Sequence, residues 1–395
     1  MDEAFENASR SIADLNMEEK PPVRSLKELI ELVSGKSQAD NLITGEAGTA
    51  EILPFPFTAL VGQFEMKLAL ILALVNPSIG GVLLLGPRGT GKTTAVRSLI
   101  HLLPTVMRSV CFYGCMPEDI ENGGIDAVCP DCARRFAEGK PLSVQDIVRL
   151  VELPLNATLE DVVGGLDERA LVHERMRLKR GILAQADRNV LYIDEVNLLA
   201  NEIIDAILDA AAQGAYTVRR GPSSATYNAR FILIGSMNPE EGNLRPQIMD
   251  RFGLRVVVKG LTSLQERLEA YRRVRQYSTN PRGMIAAHAA GITQLQEEIQ
   301  AARQLLIDVS LPEDVAQAGI QLIQHLGIDS LRAEISLFEA TRAYAAASGR
   351  QAATFEDLGA VAPVTLRLRR SPFITNYLHD RQVEEDEIAS LFKNL

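Results

Sequence analysis

The sequence predicts a three-layer αβα domain built on a parallel sheet, followed by a small all-helical domain. Three observations carry this prediction. Gly86-Pro87-Arg88-Gly89-Thr90-Gly91-Lys92-Thr93 fits G-x-x-x-x-G-K-[ST], between the strand-length apolar run Gly81–Leu85 and the helically spaced Thr94–Leu102. A second buried-type run, Val190-Leu191-Tyr192-Ile193, ends in the acidic pair Asp194-Glu195. From Leu261 onward the apolar spacing turns helical.

Composition narrows the classes. The 395 residues leave room for two or three domains, and the formal net charge of −10 makes a poor non-specific binder of nucleic acid. Met1-Asp2-Glu3-Ala4 lacks the basic and apolar regions of a leader. The longest apolar stretch, Leu68–Leu85, is broken by Asn76-Pro77 and Gly80-Gly81, so it reads as helix, turn and strand and not as a membrane span. A soluble, cytoplasmic chain with no nucleic-acid partner is the expectation.

Residues 1–52 are polar and mixed, with a short helical stretch at Ser25–Val33 inside an otherwise mobile-looking extension. The catalytic domain is expected over 53–262. Its opening segment runs Phe55-Pro56-Phe57-Thr58-Ala59-Leu60-Val61-Gly62-Gln63 into a helix. In ATPases with this loop the upstream segment often covers the adenine, which makes Val61 and Gly62 candidates for the base contact. Within Gly86–Thr94 the glycines let amide groups turn inward around a polyphosphate, and the helix N-terminus adds a favourable dipole. Lys92 suits the β- and γ-phosphates, and the Thr93 hydroxyl suits Mg²⁺.

All four cysteines, Cys111, Cys115, Cys129 and Cys132, fall in one short segment spaced C-x3-C and C-x2-C. Residues of about 111–140 look inserted. Four thiolates would suit tetrahedral Zn²⁺; reduced thiols or a redox-sensitive pair are the alternatives. The stretch of about 151–180 also looks inserted, because it separates the loop helix from the next core strand.

Asp194 would hold Mg²⁺ through water, and Glu195 would polarise the attacking water. Asn197–Gln213 reads as a helix. Tyr216–Arg220 and Thr226–Arg230 flank Gly221-Pro222-Ser223-Ser224 as a hairpin within about 215–230. Phe231–Ser236 is another core strand, with Asn238 just past its end. That amide can orient the lytic water, or it can simply form the turn before Pro239. Arg245 and Arg251 lie near a helix end, where a guanidinium can reach a neighbour's γ-phosphate or make an ordinary surface ion pair.

A helical linker is expected over 263–310 and a helical lid over 311–395. Thr293–Val309 reads as an amphipathic helix, and Ser310-Leu311-Pro312-Glu313 and Thr354-Phe355-Glu356-Asp357 each fit a capping box. Arg332 starts a helix and is placed to reach back to the nucleotide. His288 and His325 have no ligand-spaced partners and read as structural.

Walker A, Walker B, a sensor Asn, a trans Arg and a lid with its own Arg make up the AAA+ arrangement. The runs Phe55–Thr58, Val61–Gln63, Ile193–Leu199, Asn238–Gly242 and Leu244–Gln247 further resemble the I subunit of magnesium chelatase, from about Pro54 to about Phe373. The chain departs from that family's pattern at Phe64, Asn156, Leu159–Asp161 and Ala333-Glu334. The resemblance implies that Lys92, Thr93, Asp194 and Glu195 bind and hydrolyse MgATP. It implies Asn238 as sensor 1, Arg251 as arginine finger with Arg245 nearby, and Arg332 as sensor 2. It also implies a helix-2 insert, a pre-sensor hairpin, a hexameric ring, and work with a D subunit and a porphyrin-binding H subunit. The expected activity is ATP-driven Mg²⁺ insertion into protoporphyrin IX for chlorophyll or bacteriochlorophyll synthesis. A MoxR-type remodelling ATPase, the motor of a cobalt-type chelatase and, further off, a nucleic-acid motor are the alternatives.

Overall fold

The computed structural model describes residues 53–370 apart from 112, 167–177, 221–222 and 243. The helical stretch Ser25–Val33 and the turn residues Gly221 and Pro222 lie outside the described residues.

The chain opens with α1 (Phe64–Val75), β1 (Val82–Leu85) and α2 (Lys92–Ser98). An antiparallel ribbon follows, β2 (Thr105–Ser109) with β3 (Ser143–Ile147), and the short helices α3 (Pro117–Gly123) and α4 (Pro130–Ala137) lie between its strands. Next come β4 (Leu150–Leu153), α5 (Leu159–Val163), the small pair β5 (Gly164–Leu166) and β6 (Leu178–Arg180), and α6 (Ile182–Gln185). β7 (Val190–Ile193) leads to α7 (Asn201–Gln213) and to the hairpin β8 (Ala215–Arg220) and β9 (Ser223–Asn228). β10 (Ile232–Met237), α8 (Pro246–Met249) and β11 (Leu254–Val257) complete the α/β part. The remainder is helical: α9 (Leu264–Thr279), α10 (Pro281–Leu305), α11 (Glu313–His325), α12 (Leu331–Ala347) and α13 (Phe355–Leu366).

The main sheet has the order β11-β1-β10-β7-β4, with every pairing parallel. Helices cover both faces, so β1, β7 and β10 are buried at every position. Alternation along β1 divides its side chains between the two faces. Val82 and Leu84 join Leu70, Ala73 and Val256 in one cluster, whereas Leu83 and Leu85 join Leu191, Ile204 and Ile207 in the other. The first cluster continues through Ile292 and Ile299 of α10 into Leu337, Ala340 and Val361 of the helical part. One apolar core therefore ties the lid helices to the sheet.

Several local expectations change. Residues 151–153, read as the start of an insertion, belong to β4 at the edge of the main sheet, paired with β7. The second hairpin strand begins at Ser223, three residues early, with Arg220 opposite Ser223. The helix expected from Thr293 begins at Pro281, where the Asn280 side chain accepts from the Gly283 amide, and it ends at Leu305. The Ser310 capping box does not form. Pro312 occupies the N-cap of α11 without a side-chain bond, and Ser310 Oγ donates to the Gln351 carbonyl. The Thr354 box does form, with Asp357 reciprocating.

Candidate active site

Parallel strands deliver their loops to one edge of the sheet, so the segments after β1, β7 and β10 converge there. Gly89 and Gly91 have φ of 76° and 83°, in the left-handed region that favours glycine, and an added Cβ at either meets nothing within 4 Å. Lys92 Nζ donates to the carbonyls of Gly86 at 2.6 Å and Pro87 at 2.9 Å. Burial lowers the Lys92 pKa, and Asp194, Glu195 and Glu241 oppose that shift.

Thr93 Oγ1 donates to Asp194 Oδ2 at 3.1 Å, which brings together the two groups proposed for Mg²⁺. The other carboxylate oxygen accepts from Tyr192 OH at 2.8 Å and from Ser236 Oγ. Ser236 Oγ also accepts from the Glu195 amide at 3.2 Å. Tyr192 and Ser236 thus fix the orientation of Asp194. Sequence reasoning passed over both, although polar tips inside the buried strands β7 and β10 were the available signal. Arg88 pairs with Glu195 at 3.5 Å and with Glu241. Asn238 is buried and lines the same cleft, of about 220 Å³, with Lys92, Thr93, Asp194 and Glu195. Its Oδ1 also accepts from the Glu240 amide at 3.3 Å, so it shapes its own turn as well.

A larger cavity of about 610 Å³ adjoins the loop at Gly89, Thr90, Gly91 and Thr94. Leu60, Val61 and Met66 line it, opposite Ala270 and Val274 of α9. Arg273 Nη1 anchors this segment through the Ala59 carbonyl at 2.9 Å. Gly62, with φ of 60°, turns the chain away and lines the neighbouring cleft beside Leu261 and Glu266.

The arginines lie elsewhere. Arg245 bonds Asp205 at 3.1 Å and Arg251 bonds Asp209 at 2.7 Å, both acids on α7. Arg332 is 3.8 Å from Asp250. Arg251 and Arg332 share a cavity of about 460 Å³ with Pro77, Gly80, Leu208 and Ile335. This cavity lies at the beginning of β1 and β11, as the bond from the Gly253 amide to the Gly80 carbonyl shows. The phosphate loop leaves the other end of β1, four residues away, or about 13 Å. The expectation that Arg332 reaches back to its own nucleotide is therefore not met: lid docking holds it at the opposite edge of the sheet.

The four cysteines converge. Their Sγ atoms all lie within 4.8 Å of one another, and none is in a disulfide. They sit beyond the β2–β3 ribbon and do not line the phosphate cleft.

Family models match residues 79–240 as an AAA domain and 312–390 as an AAA lid domain. The magnesium-chelatase 38 kDa subunit of Acidiphilium rubrum is 47% identical over 343 residues, covering 86% of this chain and 97% of that protein. This chain belongs to the magnesium-chelatase I-subunit family. Another relative, the magnesium-chelatase subunit ChlI homolog of Methanocaldococcus jannaschii, is 42% identical over 335 residues, 84% of this chain and 90% of that protein. A solved structure from Cytophaga hutchinsonii, 19% identical, superposes with a TM-score of 0.52 over 79% of this chain and 84% of that one, a likeness of fold. As a member of this chelatase family the chain is an AAA+ ATPase whose ligands are ATP and Mg²⁺, and the Thr93–Asp194 pair beside Lys92 suits both. No helix among the described residues is long and apolar enough to cross a membrane.

Proposed function

We propose that the chain is the motor subunit of a magnesium chelatase, driving Mg²⁺ insertion into protoporphyrin IX by hydrolysing ATP between neighbouring copies of itself. The observation that carries this reading is the division of the site, with phosphate-holding groups at one edge of the sheet and Arg251 and Arg332 at the other. In a head-to-tail ring, a hexamer in this reading, the arginine edge of one protomer meets the phosphate cleft of the next. Lys92 neutralises the β- and γ-phosphates, and Thr93 and Asp194 hold Mg²⁺. Glu195 takes up the proton of the attacking water, which Asn238 orients. Arg251, from the adjacent protomer, stabilises the charge that develops on the γ-phosphoryl group, with Arg332 beside it. Val61 and its neighbours receive the base.

Mg²⁺ gives up its octahedral water shell reluctantly, so its insertion needs work. In this reading the ring supplies motion, and partners supply porphyrin chemistry. A D subunit docks on the ring and an H subunit holds the porphyrin, in the cytoplasm, where reduced thiols persist. Membership of a family whose relatives are named as subunits of one chelatase supports a multi-subunit machine.

The test is reconstitution with D and H subunits. Lys92→Ala should lose ATP binding. Arg251→Ala should bind ATP as the parent does and lose turnover by about 10³-fold or more. Mixing Arg251→Ala with Glu195→Gln should restore part of the activity, because some interfaces then carry both intact groups. No recovery at any mixing ratio, or full turnover by a monomer, would overturn the shared site. Tight protoporphyrin binding by the isolated chain would overturn the division of labour.

A further inference from the structure

We infer that Cys111, Cys115, Cys129 and Cys132 together hold one structural Zn²⁺, and that this ion fixes the tip of an insertion that braces the β8–β9 hairpin. Zn–S bonds of about 2.3 Å place the sulfurs of a tetrahedron about 3.8 Å apart. Four Sγ atoms mutually within 4.8 Å fit that figure. Two disulfides would instead gather the sulfurs into two bonded pairs at about 2 Å. An iron–sulfur cluster places its thiolates on different irons and spreads them more widely than one ion does.

The surrounding core gives an independent reason. Among the described residues between β2 and β3, only Cys115, Met116, Cys132 and Leu142 are buried apolar ones. Helix α3 buries none of its residues, and α4 buries only Cys132. A unit of this size, below about 40 residues, has too little apolar surface to order itself without a metal or cross-link. Donors already face the sulfurs. The Cys115 amide lies 3.2 Å from Cys111 Sγ, the Cys129 amide 3.3 Å from Cys115 Sγ, and Ser109 Oγ 3.4 Å from Cys111 Sγ. Such donors spread the negative charge that four thiolates bring to one cation.

The tip then meets the hairpin. Gly114, between two of the ligands, has φ of 81° and accepts from Asn228 Nδ2 at 3.0 Å. The Tyr113 ring stacks on Tyr227 of β9 at 5.9 Å, and Asp119 is 3.7 Å from Arg230. The Arg230 backbone is bonded in turn to Asp187 and Arg188, just before the strand that carries Asp194. Ligation at Cys111 and Cys115 thus sets the two residues that contact β9. The inference rests on the thiols and stands apart from the ATPase reading.

The experiment measures metal in the full-length chain and in its Lys92→Ala variant. Both should carry one zinc per chain, released to a chromogenic chelator only when a mercurial blocks the thiols. Exchange with Co²⁺ should give the charge-transfer bands of a tetrahedral tetrathiolate. Metal-free protein with four freely reacting thiols, or iron in place of zinc, would overturn the site. Should Cys129→Ser or Cys132→Ser fail to fold, the zinc content of the parent still decides. Stripping the zinc should speed amide exchange in 223–228 about tenfold. Unchanged exchange there would overturn the brace even with zinc present. Loss of ATP binding in Lys92→Ala with zinc retained would separate the two readings.

Discussion

Gly86, Gly89 and Gly91 stand within six residues and are glycine for different reasons. A Cβ on Gly86 would lie 2.2 Å from the Val258 carbonyl oxygen, so the loop's first residue is set by close packing against the segment after β11. Gly89 and Gly91 need their left-handed backbone and face open space. Gly86→Ala should cost about 2–3 kcal/mol, read as a lowered melting temperature. Gly91→Ala should cost about 1–2 kcal/mol and leave a folded chain whose nucleotide titration is weakened, because an L side chain strains the left-handed backbone that shapes the loop. At this scale the sequence was informative where a motif is contiguous. Lys92, Thr93, Asp194 and Glu195 were assigned from neighbours in the chain. Ser236 was not, because 42 positions separate it from Asp194 and only the β7–β10 pairing brings it there, and Tyr192, two residues from Asp194, was passed over because it sits in a buried apolar strand.

Helix ends are decided by backbone geometry as much as by residue type. Thr354 and Ser310 begin equally plausible capping boxes. Only Thr354 accepts from its N3 amide, while Ser310 lies in a bridge with Ala352. Thr354→Ala should therefore lower stability by about 1 kcal/mol. Ser310→Ala should stay within about 0.5 kcal/mol of the parent, and parallel urea titrations of the two variants check the contrast. Strand β4 was hidden for a related reason. It is four residues long, pairs on one side only, and carries Glu152, which bonds Arg97 of α2 at 2.9 Å. An edge strand needs no continuous apolar run, so its pattern does not separate it from a loop. The shifted start of β9 follows from Ser223 and Ser224, which read as turn residues but pair with Arg220 and Arg219.

The helical part is fastened to the sheet by one acid as well as by the shared core. Asp250 accepts from Arg369 at 2.8 Å and from Arg255 and Ser330 at 3.3 Å each, and Arg332 stands 3.8 Å away. Arg255 is almost wholly buried, and burial pushes its pKa down to about 10 despite Asp250. Asp250→Ala would leave the guanidiniums of Arg255 and Arg369 without their carboxylate. The expected loss is about 3–5 kcal/mol, seen as a lower urea midpoint for the full chain. Arg251 is the next residue, so the same latch ties lid position to the arginine proposed above to act on the neighbouring protomer's nucleotide.

The sequence by itself determined the chemical groups of this protein: a phosphate-loop pattern, an acidic pair at the end of a buried strand, and a cysteine quartet. Those signals depend on residue type at short spacing, which the covalent chain imposes before folding. Only the tertiary structure decided that Arg251 and Arg332 stand at the far edge of the sheet from their own phosphate loop, and that four sulfurs meet at one point. Such separations depend on strand order, crossover direction and lid docking, which no local spacing encodes.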